Sequence, residues 1–210
     1  MDIPEFVRTS PLAASIKRIA VATLVRVDLR ASNALGLSEV YNTALAEAEE
    51  DETILFVHDD VWIDDWQVPA RLKDALEHYD VVGLAGTRRR VPRQGTWPFD
   101  VDNKTWVTEW LSGAVSHDGQ VSYYGPMPQQ VLLLDGLFLA AKVSTLRKAN
   151  VAFDPQFDFH FYDLDFCRSC EAAGLTMGTW PIAVNHASGG NFGTPEWHRA
   201  FEKYLAKWGE

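Results

Sequence analysis

The stretch Thr53-Ile54-Leu55-Phe56-Val57 runs straight into His58-Asp59-Asp60-Val61. An unbroken run of β-branched, aliphatic and aromatic residues predicts a strand buried on both faces, of the kind a parallel sheet needs. Ligands of open α/β sheets bind beyond the carboxyl ends of the strands, which puts His58, Asp59 and Asp60 at a ligand site. Adjacent carboxylates are costly to keep ionised together unless a cation lies between them. A hard divalent ion suits them, because it takes carboxylate oxygens and bridges to phosphate. The alternative reading of Asp59 or Asp60 is a turn cap.

Upstream, Ile19 to Val25 predicts a first buried strand and residues 26–33 a polar connection. From Ser38 a helix is expected, since Leu37, Val40, Tyr41, Ala44, Leu45 and Ala48 recur at three- and four-residue steps. Strand, helix and strand together make a βαβ unit with a right-handed crossover. Residues 1–16 have no clear period and read as a terminal arm.

Downstream, a helix is expected from just after Asp60 to Tyr79, with Pro69 early in it, then a strand over Val81 to Ala85. Residues 86–130 break the alternation. Their glycines, prolines, Arg88-Arg89-Arg90 with Arg93, and Trp97, Trp106 and Trp110 predict short strands and long loops devoted to recognition. The arginines read as a solvated loop or as phosphate contacts, the tryptophans as core or as sugar platforms. Val131 to Leu134 resumes the buried pattern, ends in Asp135-Gly136 and continues as Leu137 to Ala141. A short helix is expected over Val143 to Ala149, and another from Asp163 or Leu164 to Ala173, closed by a left-handed cap at Gly174. A late strand over Thr176 to Val184 carries Pro181, which signals an edge or a bend. The loop from His186 to Gly190 and an amphipathic helix over Trp197 to Trp208 follow.

The chain of 210 residues is 47% hydrophobic, enough for one domain with a sizeable core. A net charge of -10 argues against nucleic acid or an anionic membrane surface as partner. With no apolar run long enough to span a bilayer and no leader pattern, the expectation is a soluble, cytoplasmic protein. Cys167 and Cys170 have C-x-x-C spacing, but they sit three apart on one face of a helical pattern and read as core rather than as zinc or redox ligands.

Several polar clusters thus follow apolar runs, and their order over residues 17–192 resembles the GT-A glycosyltransferases of the inverting, family-2-like group. The resemblance rests on Phe56-Val57-His58-Asp59-Asp60-Val61 in the setting of a D-x-D motif, on Asp135-Gly136 before an apolar strand, on Phe161-Tyr162-Asp163-Leu164-Asp165, and on Trp180-Pro181-Ile182-Ala183-Val184-Asn185-His186. It implies an α/β GT-A fold, a central mostly parallel sheet flanked by helices with a small antiparallel and loop region. Residues 17–85 form the nucleotide half, 86–192 the acceptor and metal half, and 193–210 a closing helix.

The resemblance further implies transfer from a UDP-sugar to an acceptor hydroxyl, with Mn²⁺ or Mg²⁺ as cofactor. Asp60 and His186 would hold the metal. Thr23, Val25, Arg26, Asn42, His58 and Asp59 would hold the nucleotide, and Asp135, Gly136 and Asp165 would border sugar or acceptor. Asp163 would be the base, kept ionised by the helix dipole and therefore weak. The chain departs from the pattern twice, with His-Asp-Asp for Asp-x-Asp and Tyr162 where many relatives carry an acid. The second departure motivates an alternative, a UDP or UDP-sugar binding protein without turnover. A nucleotidyltransferase is disfavoured because residues 23–33 contain no glycine. A metal-dependent hydrolase is a further alternative.

Overall fold

A computed structural model describes residues 1–19, 25–100, 104–106 and 108–209. The helices are α1 (Ile3–Thr9), α2 (Pro11–Ile19), α3 (Leu37–Glu47), α4 (Val68–Ala75), α5 (Val143–Lys148), α6 (Tyr162–Ala172) and α7 (Pro195–Trp208). The strands are β1 (Thr53–Val57), β2 (Val61–Ile63), β3 (Val81–Gly83), β4 (Ala85–Thr87), β5 (Phe99–Asp100), β6 (Thr105–Trp106), β7 (Leu111–His117), β8 (Gln120–Gly125), β9 (Gln129–Val131), β10 (Leu133–Leu134), β11 (Phe138–Lys142), β12 (Met177–Thr179) and β13 (Val184–His186). No helix among the described residues is long and apolar enough to cross a membrane.

One sheet has the order β1-β11-β3-β12-β9, and a second has the order β10-β4-β7-β13-β2 with β8 beside β7. The α/β class holds, but the expected parallel character does not. Among the described residues only β3 with β12 and β7 with β13 pair in parallel; the other pairings are antiparallel. Apolar runs such as Val81 to Ala85 are buried because strands and helices enclose them, and composition carries no record of strand direction.

β1 itself is half-buried, with Phe56 its one fully buried side chain, and among the described residues it pairs only with β11. The expected first strand falls differently. Ile19 ends α2, residues 20–24 lie outside the described residues, and Val25 is exposed in irregular chain. The βαβ crossover therefore has no described first strand.

The terminal arm is two helices. Asp2 caps α1 by accepting from Glu5 N at 2.7 Å, and α2 turns Leu12, Ala13, Ser15 and Ile19 inward against β2. Four apolar or small positions over so short a segment are too few for a period to stand out in sequence. The helix expected directly after Asp60 begins only at Val68, because Val61 to Ile63 pairs with β13 instead. The late strand divides at Pro181, whose bend carries the chain from β12 in the first sheet to β13 in the second. Pro181 cannot donate a ladder hydrogen bond, so the break falls there. Gly174 ends α6 with φ +78°, as its position predicted.

α7 closes the far side. Trp197, Phe201 and Tyr204 pack on Phe161 with ring centroids 5.2–5.5 Å from it. Beneath them the Asp165 carboxylate is fully buried, accepting from Trp208 Nε1 at 2.9 Å and pairing with Lys207 Nζ at 2.7 Å. Cys167 and Cys170 are free and buried in the same helix, in keeping with a core role. Deleting one partner of a buried ion pair leaves the other uncompensated. Asp165→Ala should therefore lower unfolding free energy by about 2–4 kcal/mol in denaturant titrations; a loss under about 0.5 kcal/mol, the usual scale of an ordinary surface change, would show that the pair does not hold α7.

Candidate functional site

The site is built where β1 hands over to β2. His58 N donates to Leu137 O at 3.2 Å, and the turn closes with Val61 N donating to His58 O at 3.2 Å. The N-terminal helices brace this turn from outside, since the Asp59 carbonyl accepts from Ser10 Oγ at 2.6 Å and from Leu12 N at 3.4 Å. β2 then pairs antiparallel with β13 so that Val61 faces His186, and Ala187 N donates to Asp60 O at 3.1 Å. Residues 126 positions apart in sequence, 60 and 186, are thereby locked side by side.

His58, Asp60 and His186 present one ligand atom each within 4.8 Å of one another. Asp60 Oδ1 is buried and lacks a well-aligned hydrogen bond, its nearest partner being His186 Nε2 in an ion-pair contact at 3.3 Å. An orphaned buried carboxylate oxygen between two imidazoles is the donor set that a divalent ion completes. His186 holds the Asp60 carboxyl down at about 2, against the cost of burial. Burial lowers the His58 imidazole more than the Asp135 and Asp60 charges raise it. Burial also pulls His186 down, but the Asp60 carboxylate outweighs it and the net shift is upward. Ser188 Oγ sits 3.2 Å from His186 Nε2, and the His117 ring stands 5.5 Å from the His186 ring on the neighbouring strand.

Asp163 lies beside this cluster on the first turn of α6. Its oxygens accept from Gly136 N at 3.1 Å and from Leu164 N at 2.9 Å. The expectation that the helix start would keep it ionised fails. Burial, reinforced by the Asp135 charge, raises its carboxyl to about 7 despite the backbone donors. Desolvation of this partly buried carboxylate, with a second carboxylate nearby, exceeds what a helix terminus returns. Asp135 is fixed in turn, accepting from Trp97 Nε1 at 2.9 Å and from Leu137 N at 3.1 Å. Tyr162 bridges the two parts, with its hydroxyl 2.7 Å from His58 Nε2.

Other expected site residues fall elsewhere. Asp165 turns to α7 and is not part of the cluster, because it sits two residues past Asp163 on the opposite side of the helix. Asn42 is occupied in clasping the Phe153 backbone, donating to its O at 2.7 Å and accepting from its N at 2.9 Å. Val25 is exposed and Arg26 pairs with Glu52 at 2.8 Å; Thr23 lies outside the described residues. Asp59 is exposed beside Asp60. Of the tryptophans, Trp97 is buried on Asp135, Trp106 is exposed, and Trp110 lies beneath the guanidinium groups of Arg88 and Arg89. The links from Tyr162 and Trp97 to the site carry no spacing signal in sequence, since both are made across the fold.

The sequence model of a glycosyltransferase-like family matches residues 11–188. The chain belongs to this glycosyltransferase-like family. The matched segment includes the His58 turn, Asp135-Gly136, the start of α6 and His186, which are the parts the fold brings together. A search for relatives among curated proteins returns no match.

Asp163 supplies a direct physical check of the site. Its carboxyl stands near 7 in the folded glycosyltransferase-like domain against an ordinary 3.8, so folding favours the protonated form. Its contribution is intact below about pH 4 and is lost as pH rises towards about 7. Asp163→Asn removes a charge that must be desolvated, so the variant should melt above the parent at pH 8, with the gap closing towards pH 4. A pH-independent gap in thermal melts would show that Asp163 is not titrating in this way.

Proposed function

We propose that the chain is a metal-dependent, inverting, hexosyltransferase-like enzyme that moves a sugar from a UDP-sugar to an acceptor hydroxyl. The observation that carries this reading is the convergence of His58, Asp60 and His186, with one Asp60 oxygen lacking a hydrogen bond, near an Asp163 whose carboxyl stands near 7. Membership of the family supports sugar transfer. Among individual proteins, the motif order resembles majastridin, a bacterial GT-A-like protein, on the motifs alone.

Asp60 and His186 would hold Mn²⁺ or Mg²⁺, with imidazole ligation favouring Mn²⁺. Such an ion, when bound, neutralises charge growing on the leaving β-phosphate. The rest falls to the chain. Asp59, exposed at the turn, would meet the ribose in this reading. The backbone at Val25 and the Arg26 side chain are the remaining nucleotide contacts of this reading, with Thr23. As the acceptor oxygen attacks the sugar C1 and the bond to the β-phosphate oxygen breaks, Asp163 Oδ takes the hydroxyl proton. A carboxyl near 7 is a stronger base than an ordinary carboxylate and is still substantially ionised at neutral pH. Asp135, locked by Trp97 and Leu137, offers a fixed charge along the same wall, with Gly136 beside it.

Calorimetric titration with UDP, with and without Mn²⁺, tests the reading in the parent, Asp60→Ala and Asp163→Asn. Mn²⁺-dependent UDP binding should be present in the parent, absent in Asp60→Ala and retained in Asp163→Asn. Transfer by Asp163→Asn across a donor and acceptor panel should fall by roughly 10²–10⁴-fold. Equal UDP affinity in Asp60→Ala removes the metal assignment. Metal-dependent binding with no transfer by the parent favours the binding-protein alternative, and UDP-sugar hydrolysis indifferent to acceptor favours a hydrolase.

A further inference from the structure

We infer that Tyr162 is a positioning residue whose hydroxyl orients His58 as a third ligand, with Asp60 and His186, to a divalent ion. The inference rests on the reading that this cluster holds a metal. It assigns a role to the residue whose departure from the family pattern cast doubt on turnover.

The Tyr162 hydroxyl is enclosed, the residue being 4% exposed, and a buried hydroxyl needs a partner. It lies 2.7 Å from His58 Nε2 and also meets the Tyr41 hydroxyl. The tyrosine ring cannot swing away, because Tyr41 and Phe153 pack on it with centroids 5.9 and 6.1 Å distant. The opposite wall is cut to admit the hydroxyl. A Cβ at Gly136 would stand 2.3 Å from it, so the glycine of the Asp135-Gly136 segment is required by this contact.

An imidazole that commits one nitrogen to a neutral acceptor keeps the lone pair of the other for a metal, and such outer partners fix tautomer and ring orientation. Ligation through Nδ1 requires the tautomer in which His58 Nε2–H donates to the phenol oxygen, leaving the Nδ1 lone pair free. Burial holds the phenol well above its ordinary range, so it stays neutral. The resulting set of two imidazoles and one carboxylate is richer in nitrogen than an Asp-x-Asp site and selects for Mn²⁺ over Mg²⁺.

Mn²⁺ uptake by the full chain, saturated with UDP and followed by the electron paramagnetic resonance of free Mn²⁺, tests the assignment. Tyr162→Phe, which keeps the ring and its packing, should weaken Mn²⁺ binding by about 10–100-fold. His58→Gln should weaken it at least as much, and the double variant should be no weaker than His58→Gln alone, because Tyr162 acts only through His58. Nitrogen couplings of bound Mn²⁺ should report two imidazoles in the parent and one in His58→Gln. Parent-like binding by Tyr162→Phe, multiplicative losses in the double variant, or a single coupled imidazole in the parent would each overturn the inference while the metal reading stands. A parent that binds UDP and takes up no Mn²⁺ would overturn both. Should Tyr162→Phe fail to fold, the nitrogen count in the parent decides.

Discussion

The pairing of β2 with β13 is the constraint on which the site depends. Neither Asp60 nor His186 has any local reason to meet the other, and the chain between them crosses both sheets. What joins them is a three-residue antiparallel ladder that sets His186 opposite Val61, together with the bond from Ala187 N to Asp60 O. A one-residue slip would send His186 to the other face, since side chains alternate along a strand. The register is held by what surrounds it. Ser15 Oγ accepts from Ile63 N at 2.8 Å, Arg18 donates to Ile63 O at 3.0 Å, and Val61 and Ile63 are buried. The N-terminal helices are thus part of the site's scaffold.

Electrostatic opposites are sorted by burial and by partner. Asp60 and Asp163 are the same chemical group near one cluster, yet one is held at about 2 and the other near 7. The difference is the partner: an imidazole for Asp60, and a second carboxylate plus partial burial for Asp163. Separation of this kind is how a site assigns a permanently charged ligand and a proton acceptor from one residue type.

Much of the site was legible in sequence because its residues terminate apolar runs. The strand ending at Val57, the strand start after Asp135-Gly136 and the turn before His186 all lie at such ends, and α6 was marked by its period and by Gly174. What was hidden depends on pairing or on side-chain direction. Strand orientation left no trace in composition, so the sheets were expected to be mostly parallel and are not. Asp165 looks like a partner of Asp163 in sequence, but the helix turns it towards Lys207 and Trp208. Asn42 lies on the expected helix, yet its amide is spent on the Phe153 backbone. Burial of Asp163 could not be read from a helix-start position, which alone suggested the opposite shift. Tyr162, read at first as a loss, is a contact that only the folded chain reveals.

The central claim is that the β2–β13 register makes one metal-nucleotide site from His58, Asp60 and His186. Diffraction at the manganese edge from crystals grown with Mn²⁺ and UDP tests it most directly. The account predicts a single strong anomalous peak bounded by Asp60 and His186, with His58 turned to it and the UDP phosphates alongside. A manganese peak elsewhere, or ordered UDP with no metal at these three side chains, would contradict it.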